Sequence, residues 1–191
     1  MNTHIDISGI VLKTTRLVLR PWKVTDLNDL YEYARVDGVG QMAGWLPHES
    51  KETSSRILES FIEGKKTFAI EFQGKVIGSL GVEKYPEKDF PEYDALQGRE
   101  LGYVLSKDYW GQSLMPEAVK TVMDYLFRQQ KLDFIMISHF TRNQQSRRVI
   151  EKCGLRYLRN ITHRTRYETE EDTRVNVITQ QEYLCDARDH E

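Results

Sequence analysis

Residues 101–118 have the residue types and spacing of an anion-binding loop. A strand-like run ends at Leu105, the small-residue turn Gly111-Gln112-Ser113 follows, and a helical pattern begins with Pro116 in its first turn. Proline is favoured there because the N–H that it lacks would have no partner in any case. Free N–H groups and a partial positive charge at a helix N-terminus attract phosphate groups. The pattern therefore fits a phosphate or pyrophosphate site, and it also fits an ordinary strand-to-helix turn.

The elements that must position this loop follow from hydrophobic periodicity. Alternating apolar residues predict strands, and apolar residues at helical spacing predict helices. The predicted order is β-α-α-β-β-β-α-β-α-β-β, which indicates one α+β domain with a mixed sheet. The predicted strands are 16–21, 68–72, 76–82, 99–106, 133–140, 155–166 and 174–184, and the predicted helices are 26–34, 51–63, 116–129 and 142–152.

The domain boundaries follow from this pattern. Residues 14–186 are predicted to form the domain, preceded by a loosely tied N-terminal extension at 1–13 and followed by a C-terminal tail at 187–191. Thr25 or Asp26 is predicted to cap the first helix. A chain of 191 residues is long enough to bury a core without disulfides.

The composition excludes several classes of protein. Lys and Arg number 27 against 29 Asp and Glu, so the formal net charge is −2. This balance argues against a protein whose surface is basic enough to bind nucleic acid. The apolar runs are too short to span a bilayer, and residues 1–9 show no secretory signal, so we expect no membrane partner and a cytoplasmic location. Cys153 and Cys185 are predicted to be free thiols, because two cysteines cannot build a disulfide framework or a four-cysteine zinc site.

Four motifs follow one another along the chain. They are Thr15-Arg16-Leu17-Val18-Leu19-Arg20, Arg99-Glu100-Leu101-Gly102-Tyr103-Val104-Leu105, Tyr109 to Ala118, and Asn143 to Leu155. Together they resemble motifs of the GNAT superfamily of N-acetyltransferases, most closely the RimJ/RimL type, which acetylates ribosomal-protein N-termini. The resemblance covers about residues 14–184. It implies a mostly antiparallel sheet of about seven strands, splayed between its fourth and fifth strands and flanked by about four helices.

The resemblance also implies acetyl-CoA as cosubstrate, bound in the splayed gap, and no metal. Backbone groups of Tyr103, Val104 and Leu105 would pair with the pantetheine like an added strand. Asn143 would bond the pantetheine from beyond the fifth strand, and Ser146 would lie near the thioester sulfur. The loop would hold the pyrophosphate through N–H groups from Gly111 onward, and its residues are Trp110, Gly111, Gln112, Ser113, Leu114 and Met115.

Acetyl transfer needs a neutral amine, so a carboxylate base near the acceptor is expected to assist it. Strand alternation puts Glu100 on one face with Gly102 and Val104, just before the predicted splay, and makes Glu100 the candidate base. A structural ion pair on the sheet is the alternative for Glu100. His139 is a second candidate base. Ser146 is a candidate partner for the departing CoA thiolate, or else a surface or capping hydroxyl.

Two departures from the family pattern bear on this expectation. Relatives of this subgroup often have glycine where Ser113 stands, and serine costs roughly 1–2 kcal/mol if the site requires a positive φ. We therefore expect weakened rather than abolished cofactor binding. Many family members place a tyrosine on the last motif helix, four residues after the serine, where this chain has Ile150.

The function predicted from the sequence is acetyl transfer from acetyl-CoA to a primary amine by direct attack in a ternary complex. A protein N-terminal α-amine, an amino acid or polyamine, and an aminoglycoside-like drug all stay open as acceptors. The competing interpretation is an acyl-CoA sensor that kept the fold and lost turnover, which Ser113, Met115 and the missing tyrosine favour slightly. A homodimer paired through the strand predicted at 174–184 is a further expectation.

Overall fold

Eight strands and five α-helices account for most of residues 1–186, the part of the chain that the computed structural model describes. The strands are β1 (Leu12–Lys13), β2 (Leu17–Pro21), β3 (Thr67–Phe72), β4 (Lys75–Glu83), β5 (Gly98–Leu105), β6 (Phe134–Phe140), β7 (Arg156–Arg164) and β8 (Glu170–Thr179). The helices are α1 (Leu27–Ala34), α2 (Lys51–Gly64), α3 (Leu114–Arg128), α4 (Gln144–Lys152) and α5 (Gln180–Asp186). The tail predicted at 187–191 lies outside the described residues.

All eight strands form one sheet in the order β1-β2-β3-β4-β5-β6-β8-β7. Neighbouring strands are antiparallel except β5 and β6, which run parallel. The predicted mixed, mostly antiparallel sheet is therefore confirmed, with one more strand and one more helix than expected. Within residues 1–186, no helix combines the length and the apolar character needed to cross a membrane.

The end of the chain differs from the prediction. Strand β8 stops at Thr179 and α5 begins at Gln180, so the single strand predicted at 174–184 is wrong. Thr179 and Glu182 explain the change, because the Thr179 N–H donates to Glu182 Oε2 at 2.7 Å and the Glu182 N–H donates to Thr179 Oγ1 at 3.2 Å. This reciprocal pair is a capping box, which starts a helix.

The position of β8 also removes the basis of the expected dimer. Strand β8 lies between β6 and β7 and pairs with both of them. A strand that is hydrogen-bonded on both edges has no free edge to offer to a second copy.

The N-terminal residues are part of the fold, so the prediction of a loosely tied extension is wrong. Ile5 and Ile7 are only 5% and 1% exposed, and the Ile7 N–H donates to the Lys65 carbonyl at 2.8 Å. Asn2 forms a parallel bridge with Gly98 at the start of β5. The alternation of Ile5 and Ile7 was the sequence signal for an extended segment with one buried face.

The core is divided by the sheet. One large cluster packs α3 against one face of the sheet, with Leu80, Leu101 and Phe127 among its members. The opposite face carries two smaller clusters. One lies under α1 and α2, and the other surrounds Phe134 and Met136.

Asp26 was one of the two residues predicted to cap α1, but its side chain makes no cap hydrogen bond. Its carboxylate instead accepts from Arg20 Nη1 at 2.8 Å, from Arg20 Nη2 at 3.0 Å and from the Lys23 N–H at 2.8 Å. Arg20 Nε also donates to Glu71 Oε2 at 2.7 Å. The side chains of Arg20 and Asp26 are 11% and 7% exposed, so this network ties β2 to the start of α1 away from water.

Replacing Asp26 by alanine is expected to lower the free energy of unfolding by about 3 kcal/mol, because the Arg20 charge stays buried with only Glu71 to compensate it. Urea unfolding measures the change. The control is Glu151→Gln, which breaks the exposed pair with Arg147 and is expected to cost less than about 0.5 kcal/mol. Equal losses in the two variants would contradict the account.

Candidate active site

The pairing between β5 and β6 ends after three residues. Gly98, Arg99 and Glu100 pair with Phe134, Ile135 and Met136, and no β6 partner follows. On its other edge β5 stays paired with β4 as far as Leu105. From Leu101 onward β5 therefore has one bonded edge and one open edge. Because β5 and β6 are the fourth and fifth strands of the prediction, this gap confirms the predicted splay.

The direction of the backbone groups decides which residues can pair with a ligand in this gap. The Ser106 N–H donates to the Ile77 carbonyl of β4 at 2.8 Å. Because hydrogen-bonded pairs alternate along an antiparallel ladder, Val104 bonds to Ser79, whereas Tyr103 and Leu105 face the open edge. Of the three residues predicted to pair with pantetheine, Val104 thus has no backbone group that faces the gap, and it lines the cavity through its side chain.

The indole of Trp110 occupies one of the open positions. Its Nε1–H donates to the Leu105 carbonyl at 2.9 Å. Of the groups on Tyr103 and Leu105, those left facing the gap are therefore the N–H and C=O of Tyr103 and the N–H of Leu105. Sequence reasoning missed this use of Trp110, since the bond joins a turn to the strand before it.

A first cavity of about 280 Å³ lies along this open edge. It is lined by every residue predicted for the cofactor except Gln112, whose carbonyl instead accepts from Arg16 Nη1 at 2.9 Å. The predicted residues that line it are Tyr103, Val104, Leu105, Trp110, Gly111, Ser113, Leu114, Met115, Asn143 and Ser146.

The loop before α3 has the backbone of an anion site. Gly111 and Ser113 both have positive φ, 78° and 56°, and Ser113 is the residue that precedes the first turn of α3. Ser113, which stands where relatives often have glycine, therefore has a strained backbone conformation. Lys152 Nζ donates to Ser113 Oγ at 2.9 Å, and Arg148 lines the same cavity. These two cations add to the positive end of the helix, so the cavity suits a phosphate-bearing ligand.

A second cavity of about 690 Å³ meets the first one at the splay. The residues that line both cavities are Met42, Ala43, Tyr103, Asn143 and Ser146. Glu100 lines the second cavity. Two ligands could therefore enter separate cavities and meet beside Tyr103 and Ser146.

Glu100 is half-buried on this second cavity. Loss of hydration raises the pKa of its carboxyl, a hydrogen bond with Ser138 opposes the rise, and the charge of Glu83 adds to it. Among residues 1–186 the structure pairs Glu100 with Ser138 and with no cation. A carboxylate with a raised pKa is a stronger base, so the environment favours a proton acceptor over a structural ion pair.

His139 is placed less well for the same task. Its Nδ1 lies 2.9 Å from the Phe140 carbonyl, and its burial lowers its pKa. His139 lies at the edge of the second cavity, but alternation along β6 puts its side chain on the opposite face from Ser138, the partner of Glu100.

Tyr103 supplies a hydroxyl that sequence reasoning did not assign. Its phenol oxygen lies 2.9 Å from Ser146 Oγ, where the two cavities meet. Ile150, which stands where many family members have tyrosine, is 2% exposed in the core. The hydroxyl missing from α4 is thus replaced by one that reaches across from β5. The one signal in the sequence for this direction was strand alternation, which places Tyr103 on the same face as Leu101 and Leu105 and on the opposite face from Glu100.

Asn143 already has two partners in this structure. Its Oδ1 accepts the Ser146 N–H at 3.1 Å and so caps α4. Its Nδ2 donates to the Met42 carbonyl at 3.2 Å. Asn143 therefore holds the 3-10 helix Gly40–Ala43 over the junction of the two cavities.

The family of the chain follows from comparison with known proteins. Residues 16–156 match the family model described as an acetyltransferase (GNAT) domain, and the chain therefore belongs to the GNAT acetyltransferase family. The Bacillus subtilis (strain 168) protein named "Probable N-acetyltransferase YjcK" is 45% identical over 60 residues, which is 31% of this chain and 33% of YjcK. The match thus spans about a third of the length of that relative. Protein p20 of Bacillus licheniformis, named an N-acetyltransferase, is 27% identical over 132 residues, 65% of this chain and 70% of p20.

Solved structures share the fold. A GNAT-family acetyltransferase from Bacillus anthracis has a TM-score of 0.78 at 22% identity, covering 90% of this chain and 99% of that one. The ribosomal-protein-S5-alanine acetyltransferase of Vibrio fischeri has a TM-score of 0.68 at 20% identity, covering 91% and 98%. The microcin C7 self-immunity acetyltransferase MccE, solved with acetyl-CoA and AMP, has a TM-score of 0.72 at 13% identity, covering 87% and 93%.

Two variants at Ser113 test the strained backbone of the loop. Ser113→Gly and Ser113→Ala both remove the hydroxyl that Lys152 contacts, but only alanine keeps a Cβ at a φ of 56°. The glycine variant is expected to be more stable to unfolding than the alanine variant by about 1 kcal/mol. Thermal and urea unfolding provide the comparison. An alanine variant as stable as the glycine variant would show that the loop has another backbone conformation.

Proposed function

We propose that this protein moves the acetyl group of acetyl-CoA to a primary amine by direct attack in a ternary complex. The observation that carries the proposal is the meeting of two cavities at the splay, one beside an anion loop and the other beside a carboxylate with a raised pKa. The acceptor is proposed to be a protein N-terminal α-amine, as in the RimJ/RimL type, or a small-molecule amine.

The first cavity is proposed to take acetyl-CoA. The N–H groups from Gly111 to Met115 would hold the pyrophosphate, with Lys152 and Arg148 near its charges. The pantetheine would bond to the open-edge groups of Tyr103 and to the Leu105 N–H. The thioester would then lie beside Ser146, where an acceptor from the second cavity can reach it.

The chemistry is a nucleophilic substitution at the thioester carbonyl. Glu100 takes a proton from the acceptor ammonium, directly or through a water, and the neutral nitrogen attacks the carbonyl carbon. A C–N bond forms and the C–S bond breaks, so that CoA leaves as a thiolate, and the attacking nitrogen loses its second proton, which neutralises the departing thiolate to the CoA thiol. The paired hydroxyls of Ser146 and Tyr103 are proposed to donate a hydrogen bond to that thiolate. Holding both substrates in one site supplies the proximity that the reaction needs.

Two finer parts of the proposal have separate support. The four sequence motifs that resemble the RimJ/RimL type support that subtype. The two free cysteines, Cys153 and Cys185, support a reducing, cytoplasmic location. Among residues 1–186, no three His, Cys, Asp or Glu side chains are grouped so as to hold a metal ion.

Replacing Glu100 by glutamine is the experiment that tests the proposal. Thiol release from acetyl-CoA is measured against pH with a panel of primary amines. In the native protein, kcat/KM is expected to fall as pH drops through the raised pKa of Glu100, at a pH above the ordinary value of 4.5. Glu100→Gln is expected to lower kcat by about 10²–10⁴-fold at neutral pH and to remove this acid limb.

The matched control is Glu63→Gln, at an exposed glutamate on α2. It is expected to leave the rate and the pH profile unchanged, and Glu100→Gln is expected to leave the Kd for acetyl-CoA unchanged. An unaltered rate in Glu100→Gln would assign Glu100 a structural role. Tight acetyl-CoA binding without amine-dependent thiol release would refute turnover and favour the sensor.

A further inference from the structure

The second cavity has a floor without side chains in the middle of the sheet. Gly81 of β4 and Gly102 of β5 are register partners. Strand alternation places Gly102 on the same face as Glu100. A Cβ added at Gly102 would meet no heavy atom within 4 Å. The space over Gly102 is therefore open, directly beside the proposed base.

Two carboxylates flank this floor. Glu83 and Glu100 are register partners on β4 and β5, and both line the cavity. Like charges directly opposite each other on a sheet are destabilising, so a cation between them would relieve the repulsion. Glu83 Oε1 lies 2.6 Å from the position of a Cβ on Gly81, which shows that its carboxylate folds over the floor.

Glu83 holds an ammonium group in this structure. Lys66 Nζ forms an ion pair with Glu83, and the two side chains are 39% and 42% exposed. An exposed pair of this kind contributes little free energy and opens readily. An incoming ammonium ion could therefore replace Lys66 at Glu83, within reach of the partner carboxylate of Glu100.

The wall beyond the carboxylates is mostly apolar. Its accessible apolar residues are Pro86 and Ile161, and the buried side chains of Tyr85, Phe90, Met136 and Val175 lie directly behind them. The charged rim of the cavity includes the cations Lys84 and Arg164 beside Asp89 and His163. Once Glu83 and Glu100 hold one ammonium group, the further charges of a polycation would meet Lys84, Arg164 and Asp89, which together carry a net positive charge, whereas an apolar body would lose water against the wall.

Resting on the acetyl transfer proposed above, we propose that the acceptor is a primary ammonium ion carried on an apolar body. Glu83 and Glu100 hold the ammonium over the Gly81–Gly102 floor, and the aromatic and aliphatic wall contacts the body. Glu83 is thus a residue that selects and positions the acceptor, while Glu100 takes the proton. The same chemistry occurs in an apolar small amine and in a peptide with an apolar first residue.

A series of amines of increasing length tests the apolar wall. Propylamine, butylamine, pentylamine, hexylamine and 2-phenylethylamine are compared with spermidine, and a peptide beginning with leucine is compared with one beginning with lysine. Each methylene buried against the wall is expected to raise kcat/KM by about threefold to fourfold. Spermidine and the lysine peptide are expected to be poor acceptors. A kcat/KM that is flat along the series, or highest for spermidine, would overturn the inference.

Variants at the floor and at Glu83 test the site itself. Gly102→Val places a side chain in the open space, and Glu83→Gln removes one carboxylate. Each is expected to raise the KM for hexylamine about tenfold or more while the Kd for acetyl-CoA stays unchanged. Gly102→Ala provides a smaller intrusion if the valine variant does not fold. Glu63→Gln is the matched control for the lost charge and is expected to keep the native KM.

The outcomes separate this inference from the proposed function. Turnover of some amine that is insensitive to both Glu83→Gln and Gly102→Ala would overturn the acceptor site and leave acetyl transfer standing. Acetyl-CoA binding without thiol release for any amine or peptide of the panel would refute the proposed function, and the inference with it. If the acceptor is a small molecule, the rate saturates with rising concentration of the apolar amines. If the acceptor is a peptide, the rate saturates with the peptide that begins with leucine.

Discussion

The parting of β5 and β6 is the constraint on which the rest of the site depends. A parallel pair that stayed hydrogen-bonded beyond Glu100 and Met136 would leave no gap and no open backbone edge. Because the pairing stops there, Tyr103 and Leu105 present backbone groups to a ligand, and the Tyr103 side chain can reach Ser146 on α4. Both cavities open at the same point. The first cavity, the second cavity and their junction are thus consequences of one interrupted ladder.

Maintaining this gap costs free energy that the surrounding structure must supply. Unpaired backbone groups, the positive φ of Ser113 and the desolvated carboxyl of Glu100 all oppose folding. The large core cluster under α3 offsets these terms by burying apolar surface from both halves of the sheet. Asn143 then fixes the 3-10 helix 40–43 over the junction. Part of this cost therefore falls where ligands are proposed to bind.

Much of the fold could be predicted because its signals are local. The order of strands and helices from β2 to α4 follows from periodicity, and the loop before α3 follows from its small residues and Pro116. The strand at 174–184 was wrong because the pattern of alternation concealed the capping box of Thr179 and Glu182. The direction of the Tyr103 hydroxyl and the bond from Trp110 to Leu105 could not be predicted, because each depends on how separate segments meet in space.

Amide hydrogen exchange on β5, followed with and without acetyl-CoA, tests the open edge most directly. The account predicts that the Tyr103 and Leu105 amides exchange much more slowly once acetyl-CoA is bound, because they gain the pantetheine as a partner. Val104 is the internal reference, since it is already bonded to Ser79, and it is predicted to change far less. If Tyr103 and Leu105 slow no more than Val104 when acetyl-CoA is bound, the gap between β5 and β6 is not where the cosubstrate lies.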